Sequence, residues 1–369
     1  MEKNTEFNRR LDRILNAVSL QKTDRVPVVL EYAGFAANVT QTPMSEFVKS
    51  SKNAIQTMLQ AYELVGGGDA INYGSYSPYE LCYIFGAKVR VPGVELPEND
   101  EPQVVESELM NREDYDRILA TGWEDFFEDF LSERVLNDVP QHLLPFNQEP
   151  ADDFKLWKAR GIPVIQGGVI SSPFELLCGA RSLEKFFSDL IEMPDKVGAV
   201  MDTMVSHMTE WVCQSALKSG FPTVWVGGWR SAPFLLSPSM WERFVWPYFK
   251  RIILEVVDSG LIALLHLDSN WDRELARFKE LPKGKLIIAL DGETDIHKAK
   301  KILDGHSCIM GDVPAAMFAF GTPEEVYNYC KKLIREIGPD GFILQSGCDI
   351  PTNAKLENVQ AMVAAATGS

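Results

Sequence analysis

The chain has no apolar run near the roughly 18 residues that cross a bilayer. A membrane-spanning protein is therefore not expected. It has only six cysteines, scattered from Cys82 to Cys348. That excludes the dense disulfide framework of small secreted domains and leaves reduced thiols free as core filler or metal ligands. Positive charge is also short. Lys and Arg number 36 against 52 Asp and Glu, a formal net charge of −16. A nucleic-acid surface needs a basic stripe, so no nucleic-acid partner is expected. No G-x-G-x-x-G follows the first strand-like run, which weighs against a doubly wound dinucleotide-binding sheet. The N-terminus, MEKNTEFNRRLDRIL, is charged and amphipathic, unlike a signal peptide, so a cytoplasmic protein is the default expectation.

What is present is a rhythm. Hydrophobic residues make up 46% of 369 positions, enough for a sizeable core. Asn8 to Leu20 has helical periodicity. VPVVLEYA (26–33) then reads as a buried strand, a helix is expected over about 50–64, and DAINYG (69–74) is the second strand. Further strands are expected in IPVIQGGV (162–169), TVWVGGW (223–229), LIALLHLDS, KLIIALDGE, HSCIMGDVP and GFILQSGCDIP. The stretch 183–217 is helical by pattern. Ser237 with Pro238 opens a helix running to about 258, and Thr322 and Glu325 make a capping box around Pro323. The strands are apolar throughout, as strands buried on both faces require. Eight such units predict an α/β protein, a (β/α)8 barrel with an N-terminal helix, in one domain over 1–369. The segment 75–138 breaks the rhythm. It contains a hairpin-like stretch and a polar helical stretch, and is expected as an insertion after the second strand.

In such barrels the chemistry sits at the C-terminal strand ends. Those ends carry Glu31 and Tyr32, Asn72 and Tyr73, Gln166, Trp229 and Arg230, His266 and Asp268, Asp291, Asp312, and Gln345 and Cys348. His266, Asp268, Cys308 and Cys348 are of zinc-ligand type, and a catalytic zinc needs about three of them with one position open. Cys308 also fits a buried strand start. Glu31 and Asp291 are candidates for proton transfer. Tyr32, Asn72, Tyr73, Gln166, Trp229 and Arg230 are candidates for substrate contact, with Tyr76, Tyr79 and Phe234 as further aromatic walls. Arg230 suits a carboxylate of the substrate or a glutamate carried on a helix. The Gly227-Gly228 pair either admits a ligand to the backbone or permits a tight turn.

Several blocks resemble the uroporphyrinogen decarboxylase superfamily, specifically its corrinoid-dependent methyltransferase branch. They are DRVPV (24–28), SPFELLCG (172–179), LSPSMWERFVWPYFKRI (236–252), HLD (266–268), GTPEEV (321–326) and GFILQSGCDIP (341–351). The resemblance implies a (β/α)8 barrel. The arginine-rich N-terminal motif of true decarboxylases has no counterpart in EYAGFAANVT, so porphyrin decarboxylation is not expected. The methyltransferases carry His-x-Cys with a distant Cys. Here His266 and Cys348 match, and Asp268 stands where the family has cysteine. The pattern is similar to that of the methyltransferase I component of aromatic O-demethylases. It implies zinc as cofactor, a corrinoid (cobalamin) presented by a partner protein, a small methoxylated substrate, and an insertion that shapes the docking surface. A transferase from the corrinoid to a thiol or pterin, and a lyase acting on another acid, remain alternatives. A homodimer is left open.

Overall fold

A computed structural model describes residues 2–140 and 152–368. Eight short parallel strands form the centre. β1 is Val29–Leu30, β2 Ala70–Ile71, β3 Gln166–Ser171, β4 Thr223–Gly228, β5 Ile262–Leu267, β6 Leu286–Leu290, β7 Cys308–Val313 and β8 Phe342–Ser346. β3 to β8 pair in sequence order, and β1 pairs with β2. Single bridges, Val28 to Leu344 and Ile71 to Val164, join the pair to both edges of the six-stranded sheet. The ring is thus a closed (β/α)8 barrel, which removes exposed sheet edges.

The helices follow from local chemistry. α1 (Glu2–Val18) lies under the barrel. α2 (Ser51–Val65) starts at Ser50, whose side chain accepts from the Asn53 N–H, and ends at Gly66 with φ 87°. α3 (Pro173–Arg181) is capped by Ser172. The helical stretch expected over 183–217 is two helices, α4 (Leu183–Glu192) and α5 (Pro194–Ser219). Pro194 cannot donate to the preceding turn, so it opens a new helix. The same reason splits the stretch after Ser237 into α6 (Pro238–Phe244) and α7 (Trp246–Asp258), with Pro247 in the first turn of α7. α8 (Ile296–Leu303) and α9 (Pro323–Glu336) follow, the latter with the expected capping box, and α10 (Leu356–Thr367) ends the chain. Among the described residues no helix is long and apolar enough to cross a membrane.

Side chains alternate along each strand, so every second residue faces the barrel axis. The lower interior is apolar. Val29, Ala70, Ile165, Leu264, Ile287, Ala289, Met310 and Ile343 form one buried cluster, and Ile14, Ala17 and Val18 of α1 close it from below. Below this plug, buried Asp69 accepts from both Arg13 and Arg25 and from the Val28 N–H (2.9 Å), tying α1 to the first two strands. Two residues further along the strands the interior turns polar, at Glu31, Asn72, His266 and Gln345, all buried.

The insertion between β2 and β3 contains the expected hairpin, Val89–Arg90 antiparallel to Gln103–Val104, and then helices Glu113–Thr121 and Trp123–Phe130. Asp189 of α4, fully buried, fastens it. Asp189 accepts from Arg112 (2.7 Å) and the Tyr115 hydroxyl (2.9 Å) of the insertion, and from Arg181 (2.8 Å).

Candidate metal centre

His266 and Asp268 lie on the same side of the β5 end, as a two-residue spacing on a strand requires. Cys348 comes from the turn after β8. One potential ligand atom from each of these three lies within 4.8 Å of the others. His266 Nε2 is 3.3 Å from Asp268 Oδ1, and Nδ1 is buried without a hydrogen-bond partner. The imidazole is stacked against Trp225, 5.2 Å between centroids. Atoms sharing a tetrahedral zinc at about 2.0–2.3 Å lie within about 4 Å of one another. The nitrogen, oxygen and sulfur donors and the spare imidazole nitrogen fit such an ion with one position left open.

Cys308, expected as a further ligand, does not join them. It opens β7 instead of closing it, so it lies in the apolar floor cluster, five residues below the mouth end at Val313. Burial pushes its thiol far above the usual range. Cys348 is the exposed cysteine of the six.

Glu31 stands beside this group. The Asn72 amide donates to its Oε2 (2.8 Å), and so does the Gln345 amide. Burial raises its pKa, opposed by the nearby His266 and by these two amides. For His266, burial disfavours the charge, but the hydrogen bonds with Asp268 and Cys348 and the Glu31 carboxylate outweigh it and raise the pKa well above the usual value. Tyr73 donates to Asp349 Oδ1 at 2.5 Å. Loss of water around it in the crowded mouth, with repulsion from Glu31, raises the Asp349 carboxyl above the usual carboxylate range. Asp349 was missed from sequence, although it sits beside Cys348 in the quoted block.

The other expected residues are placed as follows. Tyr32 turns away, because it neighbours Glu31 and the alternation sends it outward; its hydroxyl donates to the Met58 carbonyl on α2 (3.0 Å). Asp291 spans two loops, accepting the N–H of Ser269 (2.6 Å) and of Glu293 (2.9 Å), and so holds the turn that carries Asp268. Gln166 begins β3, which runs on to Ser171, so the mouth end of that strand is Ser171. The Asp312 carboxylate accepts from Tyr329 on α9 (2.9 Å).

Trp229 and Arg230 follow β4 and line a cleft of about 530 Å³ with Ser269, Phe234 and Glu106. Arg230 pairs with Glu106 of the insertion (2.8 Å). Gly227 serves neither of the roles expected for it. A Cβ there would lie 1.8 Å from the Trp229 ring and 2.6 Å from Trp225, so the glycine makes room for two indoles. Glu175 was also missed. Fully buried on α3, it accepts the N–H groups of Trp229 (2.9 Å), Arg230 (3.1 Å) and Ser231 (2.9 Å) and the Ser231 hydroxyl (2.6 Å). Its place in SPFELLCG was the available signal.

Comparison with known proteins bears on this site. The family profile described as Uroporphyrinogen decarboxylase (URO-D) matches residues 155–368. The "Methylcobamide:CoM methyltransferase MtbA" of Methanosarcina acetivorans is 22% identical over 97% of both chains. Its namesake from Methanosarcina mazei is 23% identical over the same shares. A solved structure described as a methyltransferase from Methanosarcina mazei superposes with a TM-score of 0.71 over 96% of both chains, at 18% identity.

Proposed function

Because this chain belongs to the uroporphyrinogen decarboxylase family, we propose that it is a zinc-dependent methyltransferase that moves the methyl group of a methoxylated aromatic compound to the cobalt of a corrinoid carried by a partner protein. The observation that carries this reading is the convergence of His266, Asp268 and Cys348 within 4.8 Å at the barrel mouth. Full-length similarity to two proteins named as methylcobamide methyltransferases supports it.

An ether carbon is a poor electrophile because the alkoxide or phenoxide leaves badly. Zinc held by the three residues supplies a Lewis acid for the ether oxygen. The chain itself does the rest. Asp291 fixes the loop that carries Asp268. The amides of Asn72 and Gln345 orient Glu31, and the oxygen they leave free exchanges a proton with the departing oxygen. Trp225 and Trp229 give the substrate ring an apolar wall and keep water from it.

Elemental analysis of the native protein and of Cys348→Ser tests the reading. The expected result is about one zinc per chain, lost in the variant. No zinc in either protein overturns it. The second reading, transfer from a methylated corrinoid to a thiol, is favoured by the names of the two relatives. Asp268 weighs against it, since a carboxylate ligand suits a thiolate product less well than cysteine does. Methylcob(III)alamin mixed with the protein and a thiol decides: demethylation there, with no transfer from an aryl methyl ether to cob(I)alamin, selects the second reading.

A further inference from the structure

We propose that the indole of Trp225 aims the His266 imidazole at Asp268 and Cys348, as a positioning residue that does by stacking what a hydrogen bond ordinarily does. The proposal rests on the zinc reading above and names what holds one ligand of that site. A histidine that binds a metal through one ring nitrogen nearly always donates its other N–H to a carboxylate, a carbonyl or water, and that bond fixes the ring. His266 departs from this. Nε2 faces Asp268 Oδ1 at 3.3 Å, and Nδ1 is buried with no hydrogen-bond partner among the described residues. With a metal between His266 and Asp268, the contact at Nε2 becomes a ligand bond, and no hydrogen bond is left to set the tilt of the ring.

The neighbouring strands do not set it either. In the parallel ladders His266 lies level with Gly227 of β4 and Ala289 of β6, the two residue types with the least side chain. The room beside the imidazole is filled from further along β4. Trp225 lies against the imidazole, 5.2 Å between centroids and 26° between planes. Trp229 covers Trp225 at 5.9 Å, and Phe85 of the insertion packs on Trp229 at 4.9 Å. A row of four rings thus runs from the insertion to the metal centre. Both ends of the indole pair are anchored. Trp225 packs on the apolar floor cluster. Glu175 accepts the consecutive N–H groups of Trp229, Arg230 and Ser231. Gly227 is the gap into which the row fits, since a Cβ there would meet both indoles.

Two measurements on the full chain test this. The first is nuclear magnetic resonance of protein labelled at its five histidines. The ring protons of His266, assigned by their loss in His266→Gln, are expected to be shifted upfield by the indole, with or without zinc. The shift is expected to persist in part in Trp225→Phe and to vanish in Trp225→Leu. The second is zinc affinity, by competition with a chromophoric chelator. It is expected to fall about tenfold in Trp225→Leu, near the upper end of what a stacked ring pair is worth and the lower end for losing a group that orients a metal ligand. Trp225→Phe keeps a ring in place and is expected to keep most of the affinity. In a His266→Gln background Trp225→Leu is expected to cost no further affinity, which a general loosening of the fold would not reproduce. Unshifted His266 protons in the native chain overturn the proposal. So does native zinc affinity in Trp225→Leu, or an equal loss from that change when His266 is absent. A His266 Nδ1–H coupled through a hydrogen bond to a carbonyl or carboxylate overturns it as well. Native protein that binds no zinc yet keeps the upfield shift removes the zinc reading and leaves the aiming of the imidazole by Trp225 standing.

Discussion

In the proposed metal centre Asp268 would set the chemical character of the ligand set, because it offers oxygen where the resemblance implies sulfur. A carboxylate leaves the metal harder and more acidic toward an ether oxygen. Asp268→Cys is therefore expected to retain about one zinc while slowing ether cleavage by at least about tenfold. X-ray absorption at the zinc edge checks the first part, with the sulfur count rising from one to two. Cys308 gives the opposite expectation. Cys308→Ala leaves zinc content untouched and costs about 1 kcal/mol in urea denaturation, the usual loss for a small core truncation. Glu175 predicts a pH dependence. Burial lifts its pKa from 4.5 to about 7, against the pull of four hydrogen bonds. A carboxyl that is more basic in the folded state contributes stability that is full below about pH 4.5 and lost as pH rises to about 7. The loss amounts to about 3 kcal/mol. Glu175→Gln is expected to flatten that part of the stability profile, measured by denaturation at about pH 5 and about pH 8; an unchanged slope assigns it to other groups. Legibility at this scale was uneven. His266, Asp268 and Cys348 could be picked out because they are of metal-ligand type and lie at the ends of apolar, strand-like runs. Cys308 could not be placed, since an apolar run is bounded by polar residues at both ends and only the direction of the strand says which end is the mouth. Tyr32 was misread for a related reason: neighbours on a strand point to opposite faces, and the sequence alone does not say which faces in.

At the scale of elements, α1 is a plug. Ile14, Ala17 and Val18 cover the lower interior in which Cys308 is buried. A thiol reagent should modify one cysteine rapidly in the native chain, Cys348, and all six in denaturant. Ile14→Asp is expected to expose a second, Cys308, identified by peptide mapping; modification of Cys308 in the native chain at the rate of Cys348 would refute the plug. The insertion hangs on Asp189. Asp189→Asn leaves Arg181 buried with a weakened partner, an effect of about 3–5 kcal/mol where a buried pair is broken. Proteolysis within 85–138 should quicken before the barrel unfolds. The strands and the hairpin were legible because their periodicity is local. The breaks at Met193–Pro194 and at Val245 were marked by prolines, but helical patterning on both sides hid them.

The whole molecule reads as two tiers, an apolar floor and a polar mouth, and the eightfold count that produced them was legible from spacing alone. What was not legible joins residues far apart in the chain. Arg230 and Glu106 meet across 124 positions, and Tyr73 and Asp349 across 276. No local pattern records such meetings, because the barrel's curvature decides them.

The ring itself is uneven. Six of its staves are ladders of five or six residues, while β1 and β2 are two residues each and are joined to the rest by single bridges. Those two short staves lead directly into Glu31 and Asn72. Amide protons of Val29, Leu30, Ala70 and Ile71 should exchange with deuterium before those of β5 to β8. The wall of the vessel is thus expected to open first beside Glu31 and Asn72, and a bound substrate that spans Glu31 and His266 would act as the missing hoop.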